Sequence, residues 1–160
     1  MKDKTIVILG GKGKSTRIIY NSLKNDFRIE KVIIEESVPK VQFLKRRIRK
    51  LGLFKVFGQV LFRIMVVPYL KMVSRRRILE LKKCYRLNDE TIDISKIVNV
   101  ISANSDETMA ILTEINPDVV VINGTRIISD RIINCIPAKF INMHAGITPL
   151  YRGVHGAYWL

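Results

Sequence analysis

The sequence predicts an α/β chain: a mostly parallel sheet, doubly wound, with helices on both faces. Two observations predict it. Short apolar runs rich in Val and Ile recur along the chain and read as buried strands. Between most of them lie stretches with helical apolar spacing, and strands separated by a helix pair in parallel.

In order, Thr5-Ile6-Val7-Ile8-Leu9 reads as the first strand, and Gly10-Gly11-Lys12-Gly13 as a tight loop after it. Residues 15–23 have helical character, with Ile18, Ile19 and Leu23 on one face. Lys31-Val32-Ile33-Ile34-Glu35 is the second strand and Ile97-Val98-Asn99-Val100-Ile101 the third. Ser105 is a good N-cap for a helix whose apolar positions are Met109, Ile111, Leu112 and Ile115, and Asn116-Pro117 ends it. Asp118 to Asn123 is the fourth strand, broken by Gly124; residues 129–133 form a short helix and residues 140–143 a last strand. The expected architecture is Rossmann-like. In such sheets ligands bind beyond the carboxyl ends of the strands. The loops at Gly10, Gly124 and His144 should therefore open onto one edge.

Residues 40–90 interrupt this rhythm and predict a basic helical insertion between the second and third strands. Leu53, Phe54, Phe57, Val60, Leu61, Ile64 and Val67 recur near helical spacing, with Lys55 and Arg63 among them. Pro68 should break or kink that helix, and a second should run from about Leu70 to Cys84. The chain has 160 residues and a formal net charge of +14, but the charge is concentrated: residues 40–83 hold 14 Lys and Arg and one acid, Glu80. What remains is a near-neutral domain, so any argument from charge concerns the insertion.

Cys84 and Cys135 form no C-x-x-C, which argues against a zinc or redox motif and for free thiols in a reducing cytoplasm. No metal site is expected. The N-terminal apolar run is too short for a signal peptide, and no stretch approaches the roughly 18 to 20 uncharged residues of a membrane span.

The most informative segment is Phe140-Ile141-Asn142-Met143-His144-Ala145-Gly146-Ile147-Thr148-Pro149-Leu150-Tyr151-Arg152-Gly153. In extended chain, residues two apart share a face, so Asn142 and His144 converge where a strand runs into a loop. An amide donor beside an imidazole suits chemistry on a carbonyl. By itself a lone histidine is structural by default, and so His155 is read.

The loop Gly10-Gly11-Lys12-Gly13-Lys14-Ser15 is not a P-loop, because the position five residues before Gly13 is Ile8. Nor is it a G-x-G-x-x-G loop, because Thr16 stands at the third glycine. Two readings stay open: an anion site at a helix start, with Gly11, Lys12 and Gly13 facing a phosphate, or a plain connecting turn.

Together, Asn142-Met143-His144 with Pro149, Tyr151, Arg152 and Gly153, the segment Ile122-Asn123-Gly124-Thr125-Arg126-Ile127-Ile128, and the Gly11-Lys12-Gly13 loop resemble the 10-formyltetrahydrofolate-dependent formyltransferases. The resemblance covers residues 1–39 and about 91–160, as an N-terminal formyltransferase domain over residues 1–160. It implies that Asn142 and His144 hydrogen-bond the formyl oxygen. It implies that Arg126, Ile127 and Ile128 hold the folate, chiefly through backbone atoms. It implies that Gly11, Lys12 and Gly13 meet the substrate phosphate. It further implies a catalytic Asp downstream of Leu160, so the domain is expected to be incomplete.

The implied reaction moves a formyl group from 10-formyltetrahydrofolate to a small primary amine. The segment from Thr148 to Trp159 is similar to formyltransferases of sugar and cell-surface pathways, which points to an amino sugar or sugar nucleotide. Methionyl-tRNA and glycinamide ribonucleotide are the alternative acceptors. A non-catalytic domain that binds a membrane or nucleic acid is the rival of another class. Residues 40–83 have three readings: solvated helices, a peripheral membrane contact, or a polyanion patch.

Overall fold

The computed structural model describes residues 4–37 and 39–143. Contacts divide the chain into two compact units, a sheet unit of residues 1–36 and 88–160 and a helical unit of residues 37–87. Each is described by itself.

The sheet unit holds five strands: β1 (Thr5–Gly11), β2 (Arg28–Glu35), β3 (Ile97–Val100), β4 (Val119–Asn123) and β5 (Lys139–Asn142). Every pairing is parallel, in the order β3-β2-β1-β4-β5. The chain moves outward from β1 through β2 to β3, then returns to the other side of β1 for β4 and β5. The order therefore reverses between β1 and β4, the point where open α/β sheets bind ligands.

The apolar runs alternate between two cores. Val7, Leu9, Ile33, Val100 and Val120 bury on one face with Leu112 and Ile132, which belong to the helices α6 (Asp106–Ile115) and α7 (Asp130–Ile133). Ile6, Ile8, Val32, Ile34 and Val121 bury on the other, against Ile19 and Leu23 of α1 (Lys14–Leu23). A strand apolar on both faces is what a doubly covered parallel sheet requires. Each fully buried Ile or Leu contributes about 1.5–3 kcal/mol.

The expected doubly wound sheet and the helical insertion between the second and third strands are both present. β1 differs from expectation by running through Gly10 and Gly11, which pair with Ile34 and Glu35 of β2. The two glycines admit neighbours that a side chain would exclude. A Cβ at Gly10 would meet Thr16 Cγ2 at 2.7 Å, and one at Gly11 would meet the Gly124 carbonyl oxygen at 2.7 Å.

The helical unit contains α2 (Lys40–Leu51), α3 (Leu53–Leu61), α4 (Val67–Val73) and α5 (Arg75–Cys84). Gly52, at φ 82°, makes the break between α2 and α3, a conformation that favours glycine. Pro68 does not end the helix. A π-helical turn over Phe62–Val66 joins α3 to α4, and the Val67 amide donates to the Phe62 carbonyl. Proline lacks the donor for the preceding turn and crowds its carbonyl; the wider turn just before it accommodates both. Residues Leu53–Val73 thus form one helix of 21 residues whose most hydrophobic 18-residue window has mean hydropathy 1.5, long and apolar enough to cross a membrane by length and composition. As the sequence predicts, it contains no uncharged run of roughly 18 to 20 residues; it qualifies on average hydropathy. Lys55, Arg63 and Lys71 split the apolar runs without lowering their average enough.

Candidate functional site at the carboxyl edge of the sheet

The site begins with the ends of β1, β4 and β5. Asn142 is the last residue of β5, registered beside Ile122 of β4, and the Met143 amide donates to the Ile122 carbonyl at 2.9 Å. Asn142 is exposed at the strand end. His144 lies outside the described residues, as do Pro149, Tyr151, Arg152, Gly153 and His155.

A cavity of about 380 Å³ lies at this edge. Gly124, Arg126, Ile127, Ile128, Phe140 and Asn142 are among its lining residues. The structure thus brings together the strand-end amide and the three folate-loop candidates, which the sequence separates by at least fourteen positions. The lining combines four isoleucines and Phe140 with Thr125, Arg126 and Asn142, the mix of apolar wall and few polar groups common in small-molecule sites.

What shapes the loop is a set of contacts from elsewhere. Glu35, at the end of β2, is buried. Its Oε1 accepts the Ala103 amide at 2.7 Å and its Oε2 the Arg126 amide at 3.0 Å. The Arg126 guanidinium also pairs with it, Nε to Oε1, at 2.5 Å. Asn104 holds the next stretch: its Nδ2 donates to the Ile127 carbonyl at 2.9 Å, and its Oδ1 accepts the Ser129 amide at 2.9 Å. Gly124, at φ 68°, makes the turn out of β4 that carries the chain into this clamp. The side chain of Arg126 is therefore engaged by Glu35, and its contribution to the cavity runs through the backbone it fixes.

Asn123 closes β4. Its Nδ2 donates to Ser15 Oγ at 3.0 Å and Thr16 Oγ1 at 3.1 Å, and Thr16 Oγ1 in turn donates to the Gly11 carbonyl at 2.7 Å. These bonds tie the start of α1 to the ends of β1 and β4. Glu35, Asn104 and Asn123 were absent from the sequence-derived site. A polar residue ending an apolar strand was the available signal for Glu35 and Asn123; Asn104 has none, because its partners lie 23 and 25 residues away.

A second cavity, about 500 Å³, borders the first turn of α1 on the opposite face of the sheet. It is lined by Lys12, Gly13, Thr16 and Arg17, with Asn99 and Ile34 from the neighbouring strands. Gly13 is the N-cap of α1 and no side chain caps the helix there. Two basic side chains and uncapped amides suit an anion. Gly11 lies inside β1 against Gly124 and does not line this cavity. Lys14 pairs with Asp89 at 3.5 Å.

Among the described residues no group of three or more His, Cys, Asp or Glu is arranged to hold a metal ion. Cys135 is partly buried and its Sγ donates to the Ile132 carbonyl at 3.0 Å; burial pushes its thiol above the ordinary value.

A doubly wound parallel sheet with a cleft at its carboxyl edge defines a Rossmann-like domain of the α/β class. The chain belongs to the formyl transferase family in particular: the family's N-terminal domain model matches residues 4–159. No curated protein matches the chain. Family membership establishes formyl transfer as the general activity, and the family typically uses a folate-derived formyl donor.

Proposed function

We propose that this chain transfers the formyl group of 10-formyltetrahydrofolate to the primary amine of a small substrate, an amino sugar or sugar nucleotide, in the cytoplasm. The observation that carries the reading is the shared cavity of Asn142 with the 124–128 loop in a chain of this family.

The folate supplies the formyl carbon. Its pterin rests on the Arg126–Ile128 backbone, which Glu35 and Asn104 hold in one conformation. As the amine adds to the formyl carbon, negative charge gathers on the formyl oxygen. The Asn142 amide and His144 donate hydrogen bonds to that oxygen, and fixed donors stabilise such charge better than mobile water does. The proton lost by the amine passes through His144 to the departing folate nitrogen. The cavity beside Lys12, Gly13 and Arg17 receives the acceptor's phosphate.

The test is Asn142→Ala and His144→Ala in the full-length protein, assayed by release of tetrahydrofolate. Each should lower kcat/KM by about 10²–10³ while the melting temperature stays unchanged. Undiminished transfer by either variant overturns the assignment. A panel of amine acceptors tests the substrate: preference for methionyl-tRNA or glycinamide ribonucleotide over nucleotide-linked amino sugars overturns that part alone.

A further inference from the structure

We propose that the helical unit of residues 37–87 docks on an anionic phospholipid bilayer, lying in its interface rather than crossing it. The proposal is independent of which amine the site formylates.

The apolar helix Leu53–Val73 is almost wholly uncovered, with only 6% of its most hydrophobic window buried. Phe54 is 91% exposed, and Phe57, Ile64 and Met72 each more than 60%. A core helix would hide these side chains. Such a contiguous apolar surface on one element marks an interaction site.

Charge identifies the occupant. Lys45, Arg46, Arg47, Arg49 and Lys50 precede the apolar helix, and Arg75, Arg76, Arg77, Lys82 and Lys83 follow it. Glu80 is the one acid across residues 40–83. Basic clusters on both flanks of an apolar, aromatic-bearing helix complement acyl chains beneath anionic headgroups. An RNA would leave the apolar surface without a counterpart, and a purely apolar protein groove would leave the charge without one.

Topology decides how the helix sits. The unit leaves the sheet after β2 and returns before β3, and those strands are hydrogen-bonded neighbours. Both connections are fastened: the Glu36 amide donates to the Val100 carbonyl at 2.8 Å, and Asn21 Nδ2 donates to the Glu90 carbonyl at 3.1 Å. The two ends therefore lie on the same side of any membrane. A helix of 21 residues is about 32 Å long and would reach the far side. Only residues 74–87 would then remain to bring the chain back. As a helix they cover about 21 Å, short of the roughly 30 Å hydrocarbon core. Extended, they would carry unpaired backbone and six basic side chains (Arg75, Arg76, Arg77, Lys82, Lys83, Arg86) through it. The helix consequently lies along the surface, its apolar side chains among the acyl chains and its Lys and Arg stems reaching up to the phosphates.

The experiment is co-sedimentation of the full chain with vesicles of phosphatidylcholine alone or with roughly 30% phosphatidylglycerol, at roughly 0.1 M salt. Binding is expected only to the anionic vesicles, with release at about 1 M salt or in alkaline carbonate. Arg75→Gln/Arg76→Gln/Arg77→Gln should bind about a hundredfold more weakly. Phe54→Ser/Phe57→Ser should lose binding with every charge intact, and circular dichroism should show both variants folded. Equal binding to neutral vesicles, resistance to carbonate extraction, or binding to RNA without binding to vesicles would each overturn the proposal.

Discussion

Glu35 ends β2 with its carboxylate shared among the Ala103 amide, the Arg126 amide and the Arg126 guanidinium. A glutamine there keeps one acceptor oxygen and turns an amide donor toward one of those donors. Glu35→Gln should therefore cost about 1–3 kcal/mol, lower the melting temperature, and raise KM for the folate donor more than it lowers kcat. An unchanged melt and KM would show that the loop stands without it. Gly11 acts at the same scale by absence. Gly11→Ala sets a methyl group 2.7 Å from the Gly124 carbonyl oxygen and must push β1 and β4 apart. A loss of about 1–3 kcal/mol is expected in denaturant titration. The two cysteines should react in sequence: Cys84 is exposed, whereas Cys135 is partly buried with its thiol pushed up, so it stays protonated at neutral pH. Iodoacetamide should label Cys84 first, as peptide mass mapping can follow.

At the scale of elements, α6 is held at its start by Ser105, whose Oγ accepts the Thr108 amide at 3.3 Å. It ends at Asn116 in the left-handed region. The turn before Ser105 presents Asn104 to the loop after β4, so cap and clamp are neighbours in one segment. Ser105→Ala should cost about 1 kcal/mol and spare the loop. Asn104→Ala should instead raise amide hydrogen exchange at Ser129 while leaving α6 protected; equal protection of Ser129 in both variants would mean that the clamp carries no load. The α3–α4 helix shows how a local rule yields. Pro68 was expected to break or kink it; the helix is not broken, and a π turn at Phe62–Val66 precedes the proline.

Across the whole molecule, the sheet unit is near-neutral and the basic residues concentrate in the helical unit. Trypsin should cut within residues 37–87 well before the strands, because exposed helices rich in Lys and Arg open at low cost and a doubly covered sheet does not. Anionic vesicles should slow those cuts and leave the rest unchanged, which gel analysis of the fragments would show.

The sheet, its parallel sense and the helical insertion were legible in the chain because strand and helix periodicity is local, written within five to ten neighbouring residues. The N-x-H spacing of Asn142 and His144 was legible for the same reason. Tertiary structure alone decided what holds the strand ends and the loop beside Asn142: Glu35 reaches Arg126 across 91 positions and Asn123 reaches Thr16 across 107. It also decided that Gly10 and Gly11 belong to a strand, through a close approach to Thr16 and Gly124 that no local pattern encodes. Finally, it left the 53–73 helix uncovered. Periodicity says that a helix has an apolar face, and only the packed molecule says whether anything covers it.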